Sequence, residues 1–120
     1  MPIEIERRFI VIDEGWKSLA KNAKEIRQGY ISSHKNGWTV RIRIIDKNEA
    51  WITLKIKANK ILNNEFEYQI PTKDAEEIWE LTSARIYKTR YSLNYDQKLW
   101  IVDCFHENNF PLVLAEIELS

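Results

Sequence analysis

The 120-residue sequence has little of what marks several common protein classes, because it contains one cysteine, three glycines and three prolines. A single cysteine, Cys104, excludes an internal disulfide and fits a reducing compartment, so we expect a cytoplasmic protein. So few glycines and prolines leave no segment with the composition of a linker. No apolar run approaches the ~20 residues of a membrane-spanning helix, and the acidic N-terminal segment does not fit a signal peptide. We therefore expect one domain that is not associated with a membrane.

The sequence also lacks a net charge. Lysine plus arginine number 18, and aspartate plus glutamate also number 18. A neutral protein has no overall field that would attract nucleic acid, so nucleic acid is not an expected partner. Any function that depends on charge must come from the local separation of acidic and basic residues.

Most of the chain alternates between apolar and polar residues in short segments, which predicts β-strands. The strands are expected over residues 3–12, 28–32, 38–45, 51–57, 65–70, 88–93, 99–105 and 112–119. Hairpin loops are expected at 46–50 and 94–98. Residues 14–23 and 74–84 have apolar residues at helical spacing and are expected to be helices, with Thr72 as the N-cap of the second. The pattern predicts an α+β domain made mostly of antiparallel sheet.

The polar positions of these strands are sorted by charge. The acidic rows are Glu4 and Glu6, Glu65 and Glu67, and Glu116 and Glu118, and the basic rows are Arg41 and Arg43, Lys55 and Lys57, and Lys88 and Arg90. One such row is weak evidence, because charged residues make up about a quarter of an average protein. Six rows would converge if the sheet closed into a barrel with this face inside. The residues alone also leave open a solvent-exposed β face with cross-strand ion pairs.

A barrel interior with both signs of charge would have a particular chemistry. It would hold water, ions and ligand, because burying so many charges dry costs more than their pairing returns. Carboxylate oxygens suit Mg²⁺ or Mn²⁺, and arginine and lysine neutralise phosphate oxygens. Both groups in one cavity indicate a polyphosphate site.

The segment from Glu4 to Phe9 resembles the Glu-x-Glu-x-Lys signature of CYTH proteins, also called triphosphate tunnel metalloenzymes. This family includes inorganic triphosphatases, thiamine triphosphatases and class IV adenylate cyclases. Later segments resemble the family's successive strand motifs in the same order, at residues 27–30, 39–43, 53–57, 65–68, 88–91, 102–106 and 115–119. Arg8 stands where the family usually has lysine. The family normally continues into a further segment whose helix closes one tunnel end, so we expect residues 1–120 to form a single domain without that segment.

The resemblance implies a closed antiparallel barrel of about eight strands, with a charged interior and a few outer helices. It implies that four carboxylates hold one or two divalent cations, Mg²⁺ or Mn²⁺: Glu4, Glu6, Glu116 and Glu118. It implies that seven basic residues grip the phosphates: Arg8, Arg41, Arg43, Lys55, Lys57, Lys88 and Arg90. Three acidic residues would support these groups: Glu65, Glu67 and Asp103.

The resemblance also implies a reaction, the hydrolysis of a terminal phosphoanhydride by placement and electrostatics. We expect four residues to take part in catalysis, with Glu6 or Glu118 placing the attacking water: Glu6, Arg8, Lys57 and Glu118. Inorganic tripolyphosphate is the first expected substrate, and thiamine triphosphate and ATP remain alternatives. Non-catalytic binding of triphosphate or polyphosphate and nucleotide cyclisation are alternative functions, and a homodimer is an open alternative for assembly.

Overall fold

The computed structural model describes residues 3–34, 37–60 and 62–119, apart from the side chains of residues 3–5, 118 and 119. Eight strands form one sheet: β1 (Ile3–Ile10), β2 (Lys21–Ser33), β3 (Thr39–Ile45), β4 (Glu49–Lys57), β5 (Leu62–Gln69), β6 (Ala84–Tyr95), β7 (Lys98–Phe105) and β8 (Val113–Leu119). One α-helix, α1 (Thr72–Leu81), and two 3-10 segments, Gly15–Leu19 and Glu107–Asn109, complete the fold. No helix in these ranges has the length and apolar character needed to cross a bilayer.

All neighbouring strands are antiparallel, in the order β1-β5-β4-β3-β2-β6-β7-β8, and β8 pairs in turn with β1. The pairing of β1 with β5 is short, from Ile3 opposite Asn64 to Ile5 opposite Leu62. From Glu65 onward, β5 has no β1 partner among the described residues. The expected barrel is therefore confirmed as a curled, eight-stranded antiparallel sheet, but not as a tunnel sealed along its whole length.

The apolar face of the sheet lies outside, where α1 covers β3 and β4. Ile42 and Ile44 of β3 are 0% and 1% exposed, and they pack in one cluster with Ala50 of β4 and Ala75 of α1. A second cluster on the outer face contains Leu93, Val102 and Ala115, and the first 3-10 segment contributes Trp16 to it. The polar face of the same strands is consequently left for the interior.

The helix expected over residues 14–23 is wrong. The chain forms a 3-10 segment only from Gly15 to Leu19, leaves it at Ala20 in an extended conformation, and enters β2 at Lys21. Trp16 and Leu19 are three residues apart, a spacing that suits a 3-10 turn as well as an α-helix. Both can therefore face the sheet without a longer helix.

The second expected helix is confirmed, with different ends. It begins at Thr72 itself, and the N-cap is Pro71 without a side-chain hydrogen bond, so the expected Thr72 cap is wrong. It ends at Leu81, and the hydroxyl of Thr82 donates to the carbonyl oxygen of Trp79 at 2.8 Å. The chain thus turns back into β6 at Ala84.

The two hairpin loops are tighter than expected. Asp46 and Lys47 have φ angles of 50° and 65° and turn the chain between β3 and β4. Asp96 and Gln97 have φ angles of 53° and 61° and turn it between β6 and β7. Two successive residues with positive φ are typical of type I′ hairpins, whose twist matches that of the flanking strands. The strands β4 and β6 therefore extend into segments expected to be loops.

Candidate active site in the sheet interior

The strand registers show which side chains share the inner face. Arg41 of β3 lies opposite Thr53 of β4, and Lys55 of β4 lies opposite Glu65 of β5. Directly opposed residues point to the same face of a sheet. A central cavity of about 400 Å³ is lined by Glu6, Arg8, Arg41, Arg43, Lys55, Glu65, Glu67, Lys88, Arg90, Ile101 and Glu116. The structure therefore brings together most of the site residues that the charge pattern predicted.

Arg8 connects two carboxylates on neighbouring strands. Its Nη2 lies 2.7 Å from Glu116 Oε2 and 3.0 Å from Glu6 Oε1. Its Nε also donates to Glu116 Oε2 at 3.1 Å. Burial works against the charged form of Glu116, but the hydrogen bond and charge of Arg8 outweigh it and lower the pKa of this carboxyl group. Glu116 is therefore held as an anion at one side of the cavity, and Arg8 keeps it close to Glu6.

Asp103 holds two cations on β6. Lys88 Nζ donates to Asp103 Oδ2 at 2.7 Å, and Arg90 donates from Nε and Nη2 at 2.8 and 2.9 Å. The Asp103 residue is 4% exposed. Burial opposes its ionisation, but the hydrogen bonds and charges of Arg90 and Lys88 prevail and lower its pKa. This carboxylate fixes the positions of two expected phosphate ligands before any ligand binds.

The ammonium group of Lys88 titrates unusually low. Burial and the nearby charges of Arg90 and Arg41 lower its pKa from 10.5 to about 8, although Asp103 acts in the opposite direction. Desolvation disfavours a charged group, and like charges add to that effect. Lys88 is therefore a cation whose charge in the free protein is maintained only below about pH 8.

The guanidinium groups of Arg41 and Arg43 on β3 have fewer hydrogen-bond and ion-pair partners. Arg43 has a carboxylate oxygen of Glu67 at 3.5 Å, and burial followed by the charges of Arg41 and Arg90 lowers its pKa. No ion pair of Arg41 is found within the described ranges. The Nε atoms of both arginines are buried without a hydrogen-bond partner. Buried donors of this kind fit an anionic ligand that supplies oxygen acceptors.

Three cavities in the described interior are lined by both Arg8 and Arg41, so they are adjacent to one another. One of them, of about 260 Å³, combines polar and apolar side chains that the charge pattern did not reveal. Its uncharged lining is Gln28, Tyr30, Ile86, Phe105, Asn109, Leu112 and Leu114. Applying the period-two alternation to the strand expected at 28–32 would have placed Gln28 and Tyr30 on one face. These residues are uncharged, however, so the charge pattern that indicated the interior face in the other strands is missing here.

Three predicted site residues are not placed in any of these three cavities. Lys57 is exposed at the end of β4 and lines none of the cavities described here. Glu4 pairs with Asn63 through β1, and Glu118 pairs with Glu6 through β8. The side chains of Glu4 and Glu118 lie outside the described residues, so their expected metal contacts remain predictions.

The remaining predicted metal ligands, Glu6 and Glu116, suit a hard divalent cation. Both are carboxylates, both line the central cavity, and one guanidinium group of Arg8 contacts both. A position that accepts one positive group between two carboxylates is chemically suited to Mg²⁺ or Mn²⁺. Within the described ranges, however, no group of three histidine, cysteine, aspartate or glutamate residues is arranged to hold a metal ion. The donor set fits a cation only if Glu4 or Glu118 completes it.

Comparisons with known proteins agree with this geometry. A family model described as CYTH domain matches residues 2–119. The inorganic triphosphatase of Acetivibrio thermocellus is 41% identical over 118 residues, which cover 97% of this chain and 74% of that protein. Both the match and its coverage extend over the strands that line the cavity.

Solved structures give the same result. The inorganic triphosphatase NE1496 has a TM-score of 0.66 and 32% identity, over 99% of this chain and 75% of its own. The PH1012 protein from Pyrococcus horikoshii OT3 has a TM-score of 0.77 and 18% identity, over 98% of this chain and 78% of its own, and shows the fold alone. The family model matches nearly the whole chain, and the relatives cover the same strands. The chain belongs to the CYTH domain family.

Proposed function

We propose that this chain hydrolyses the terminal phosphoanhydride bond of a triphosphate, with inorganic tripolyphosphate as the first substrate to test. The observation that carries the proposal is the central cavity, where six basic and four acidic side chains share about 400 Å³. Relatives at 41% and 32% identity are inorganic triphosphatases, which supports the same reaction. The reaction needs little covalent participation by the protein, since positioning and charge stabilisation provide most of the catalysis.

The phosphate chain would bind between β3 and β6. Arg41 and Arg43 offer buried donors without partners, and Asp103 already orients Lys88 and Arg90. Because these donors are fixed in advance, they can stabilise charge on the departing diphosphate without reorganising during the reaction. The proposal includes a tunnel that encloses the triphosphate, which the ring-like strand order supports.

The proposal also includes dependence on Mg²⁺ or Mn²⁺. Glu6 and Glu116 would hold the cation, and Glu4 and Glu118 are the further ligands that their strand positions offer. When bound, the cation would neutralise phosphate charge and lower the pKa of a bound water. Arg8 keeps the two described carboxylates together and lowers the pKa of Glu116.

Phosphate release from tripolyphosphate tests the proposal, with Mg²⁺, with Mn²⁺ and with EDTA. Arg7 and Arg8 provide a matched pair, because Arg8 lines the cavity whereas Arg7 lies on the opposite face of β1. We expect metal-dependent release that falls by at least about tenfold in Arg8→Ala, since a charge-assisted phosphate contact is lost, and that persists in Arg7→Ala. Equal activity in both variants, or release that EDTA does not affect, would contradict the proposal.

One observation favours a second candidate, a domain that binds triphosphate without cleaving it. The guanidinium group of Arg8 already occupies the position between Glu6 and Glu116 in which a catalytic cation would bind. A pure binding protein would be stabilised against heat by tripolyphosphate yet release no phosphate. Thermal stabilisation and phosphate release measured on the same sample therefore separate the two functions.

A further inference from the structure

Gln28 is a buried polar residue with an unmet hydrogen-bonding atom. The residue is 2% exposed, on the inner face of β2. Its Nε2 donates to the hydroxyl oxygen of Tyr30 at 3.5 Å, whereas its Oε1 is buried without any partner. A buried acceptor that lacks a donor costs about 1–3 kcal/mol. We therefore expect a ligand or a bound water to donate a hydrogen bond to this oxygen.

The neighbours of Gln28 place this oxygen beside the phosphate site. On β2 it stands between Ile26, which pairs with Lys88, and Tyr30, which pairs with Arg41. Diagonal neighbours in a sheet are about 7–8 Å apart, within reach of long side chains. Gln28 lines the cavity of about 260 Å³, together with Arg8, Arg41 and Lys88, and these three basic residues also line the central cavity. The amide therefore lies where the cationic centre meets the uncharged end of the interior.

The chemistry of an acceptor at this position is restrictive. Ionised phosphate oxygens are themselves only acceptors, so they cannot satisfy Gln28 Oε1. Hydrolysis requires a water molecule next to the terminal phosphorus, and water can donate hydrogen bonds. Glutamine side chains orient the attacking water in other phosphoryl-transfer enzymes. Among the species that the proposed reaction needs, the water is the one that matches this oxygen.

We propose that Gln28 Oε1 accepts a hydrogen bond from the attacking water and orients it toward the terminal phosphorus. This inference rests on the proposed triphosphatase function. The water oxygen forms a bond to phosphorus while the bond from phosphorus to the bridging oxygen breaks. One water proton stays on the new orthophosphate, and the other passes to the departing diphosphate. Gln28 takes no proton, because its amide only orients the water.

The test measures kcat and KM for tripolyphosphate in the full chain with Gln28→Leu, Gln28→Asn and Gln28→Glu. Leucine removes the acceptor oxygen. Asparagine keeps the amide, but its side chain is shorter by one methylene, so the oxygen lies farther from the water. Glutamate retains oxygen acceptors but has no amide N–H. We expect kcat to fall by at least about tenfold in the leucine and asparagine variants, because a positioned hydrogen bond to the nucleophile is lost. KM should change by less than about threefold, and Gln28→Glu should retain more of kcat than Gln28→Leu.

Gln69→Leu is the matched control, because Gln69 is an exposed residue near the end of β5 and lines none of the cavities described here. It should keep the kcat of the wild type. Thermal melting of each variant, with and without tripolyphosphate, shows whether it folds and binds. If Gln28→Leu does not fold, Gln28→Asn carries the test of the lost acceptor.

The outcomes separate this inference from the function on which it rests. A wild-type chain that releases no phosphate would overturn the proposed function. An active wild type with unchanged kcat in folded Gln28→Leu and Gln28→Asn would overturn the role of Gln28 alone. A raised KM at unchanged kcat would also overturn it, because Gln28 would then contact the substrate instead of the water.

Discussion

The two faces of strand β3 differ in what they leave unsatisfied. On the outer face, Ile42 and Ile44 are almost completely buried against α1 and the neighbouring strands. On the inner face, Arg41 and Arg43 have buried Nε atoms without hydrogen-bond partners. Residues one position apart thus serve different purposes, because the outer face stabilises the sheet and the inner face is arranged for a ligand. Variants of the two faces of β3 should therefore separate loss of stability from loss of binding.

The largest expected effect comes from an inner residue that is structural. Asp103→Asn would leave Lys88 and Arg90 in the interior without their shared carboxylate. Breaking a buried ion pair on one side costs about 3–5 kcal/mol. Urea denaturation measures the free energy of unfolding, with the exposed Asp96→Asn variant in the β6–β7 turn as the control. Equal stability of both variants would show that the ion pairs of Asp103 contribute nothing to the stability of the fold.

A large loss of stability is expected on the outer face as well. Ile42→Ala removes a side chain that is 0% exposed, and such truncations cost about 2–5 kcal/mol. Ile31→Ala, at a residue that is 51% exposed, should cost clearly less. The activity of the molecules that remain folded should not change in either variant. A loss of activity in folded Ile42→Ala would contradict the division between the two faces.

Arg41→Ala should have the opposite signature. We expect tripolyphosphate binding, measured by titration calorimetry, to weaken by roughly 100-fold, which is about 2.7 kcal/mol. The free energy of unfolding should not fall, because no ion pair of Arg41 is found within the described ranges and its buried Nε lacks a partner. Arg7→Ala is the control on the outer face of β1. Unfolding of Arg41→Ala would show that this arginine is part of the structure.

Gly29→Ala tests how closely the outer face of β2 approaches the end of α1. A Cβ at Gly29 would lie 2.7 Å from Thr82 Oγ1, whose hydroxyl donates to the Trp79 carbonyl oxygen. Relieving this overlap should cost about 1–3 kcal/mol in thermal or urea unfolding. At Gly15 the nearest atom to an added Cβ is 3.6 Å away, so Gly15→Ala should change stability by less than about 0.5 kcal/mol. A neutral Gly29→Ala would mean that α1 moves away at little cost.

The smallest expected effect is a dependence on pH through Lys88. Its pKa is lowered to about 8 by burial and by the charges of Arg90 and Arg41, against the effect of Asp103. Affinity for tripolyphosphate should therefore fall by up to about tenfold per pH unit above pH 8, as the ammonium group loses its proton. Calorimetry between pH 7 and 9 measures this decline, and Lys88→Arg should remove most of it. An identical decline in Lys88→Arg would assign it to another group.

The same residue should act on stability with the opposite sign. Between about pH 8 and the ordinary lysine value of 10.5, the unfolded chain binds the Lys88 proton and the folded chain does not. The contribution of Lys88 to stability therefore rises with pH in this window. Urea denaturation without ligand, at pH 8 and at pH 10, measures this contribution to the free energy of unfolding. Between these two pH values, the free energy of unfolding of Lys88→Arg should rise less, or fall more, than that of the wild type.

The sequence predicted the fold best in strands where apolar residues on one face alternate with charged or polar residues on the other. In β3 and β4, alternation of isoleucine with arginine, lysine or threonine indicates both the strand and its orientation. The first half of β2, from Lys21 to Glu25, has no apolar alternation, so its start was missed. Trp16 and Leu19 were assigned to an α-helix because their spacing does not distinguish it from a 3-10 turn.

The candidate site was predictable to the extent that it is charged. The sorted pairs indicated Arg41, Arg43 and Lys55, which line the central cavity, but Gln28 carries no charge that would have drawn attention to it. Lys57 follows the same alternation, yet its position at the strand end leaves it exposed. Asp103 contacts both Lys88 and Arg90 because of the register between β6 and β7. The alternation of residues within one strand does not specify this register.

The most direct test of the central claim is a crystal structure of this chain with tripolyphosphate and Mn²⁺, in which anomalous scattering locates the metal. We predict phosphate density against Arg41, Arg43 and Lys88 inside the sheet, with the Mn²⁺ signal beside Glu6 and Glu116. Tripolyphosphate bound outside the sheet, or Mn²⁺ away from both carboxylates, would contradict the account.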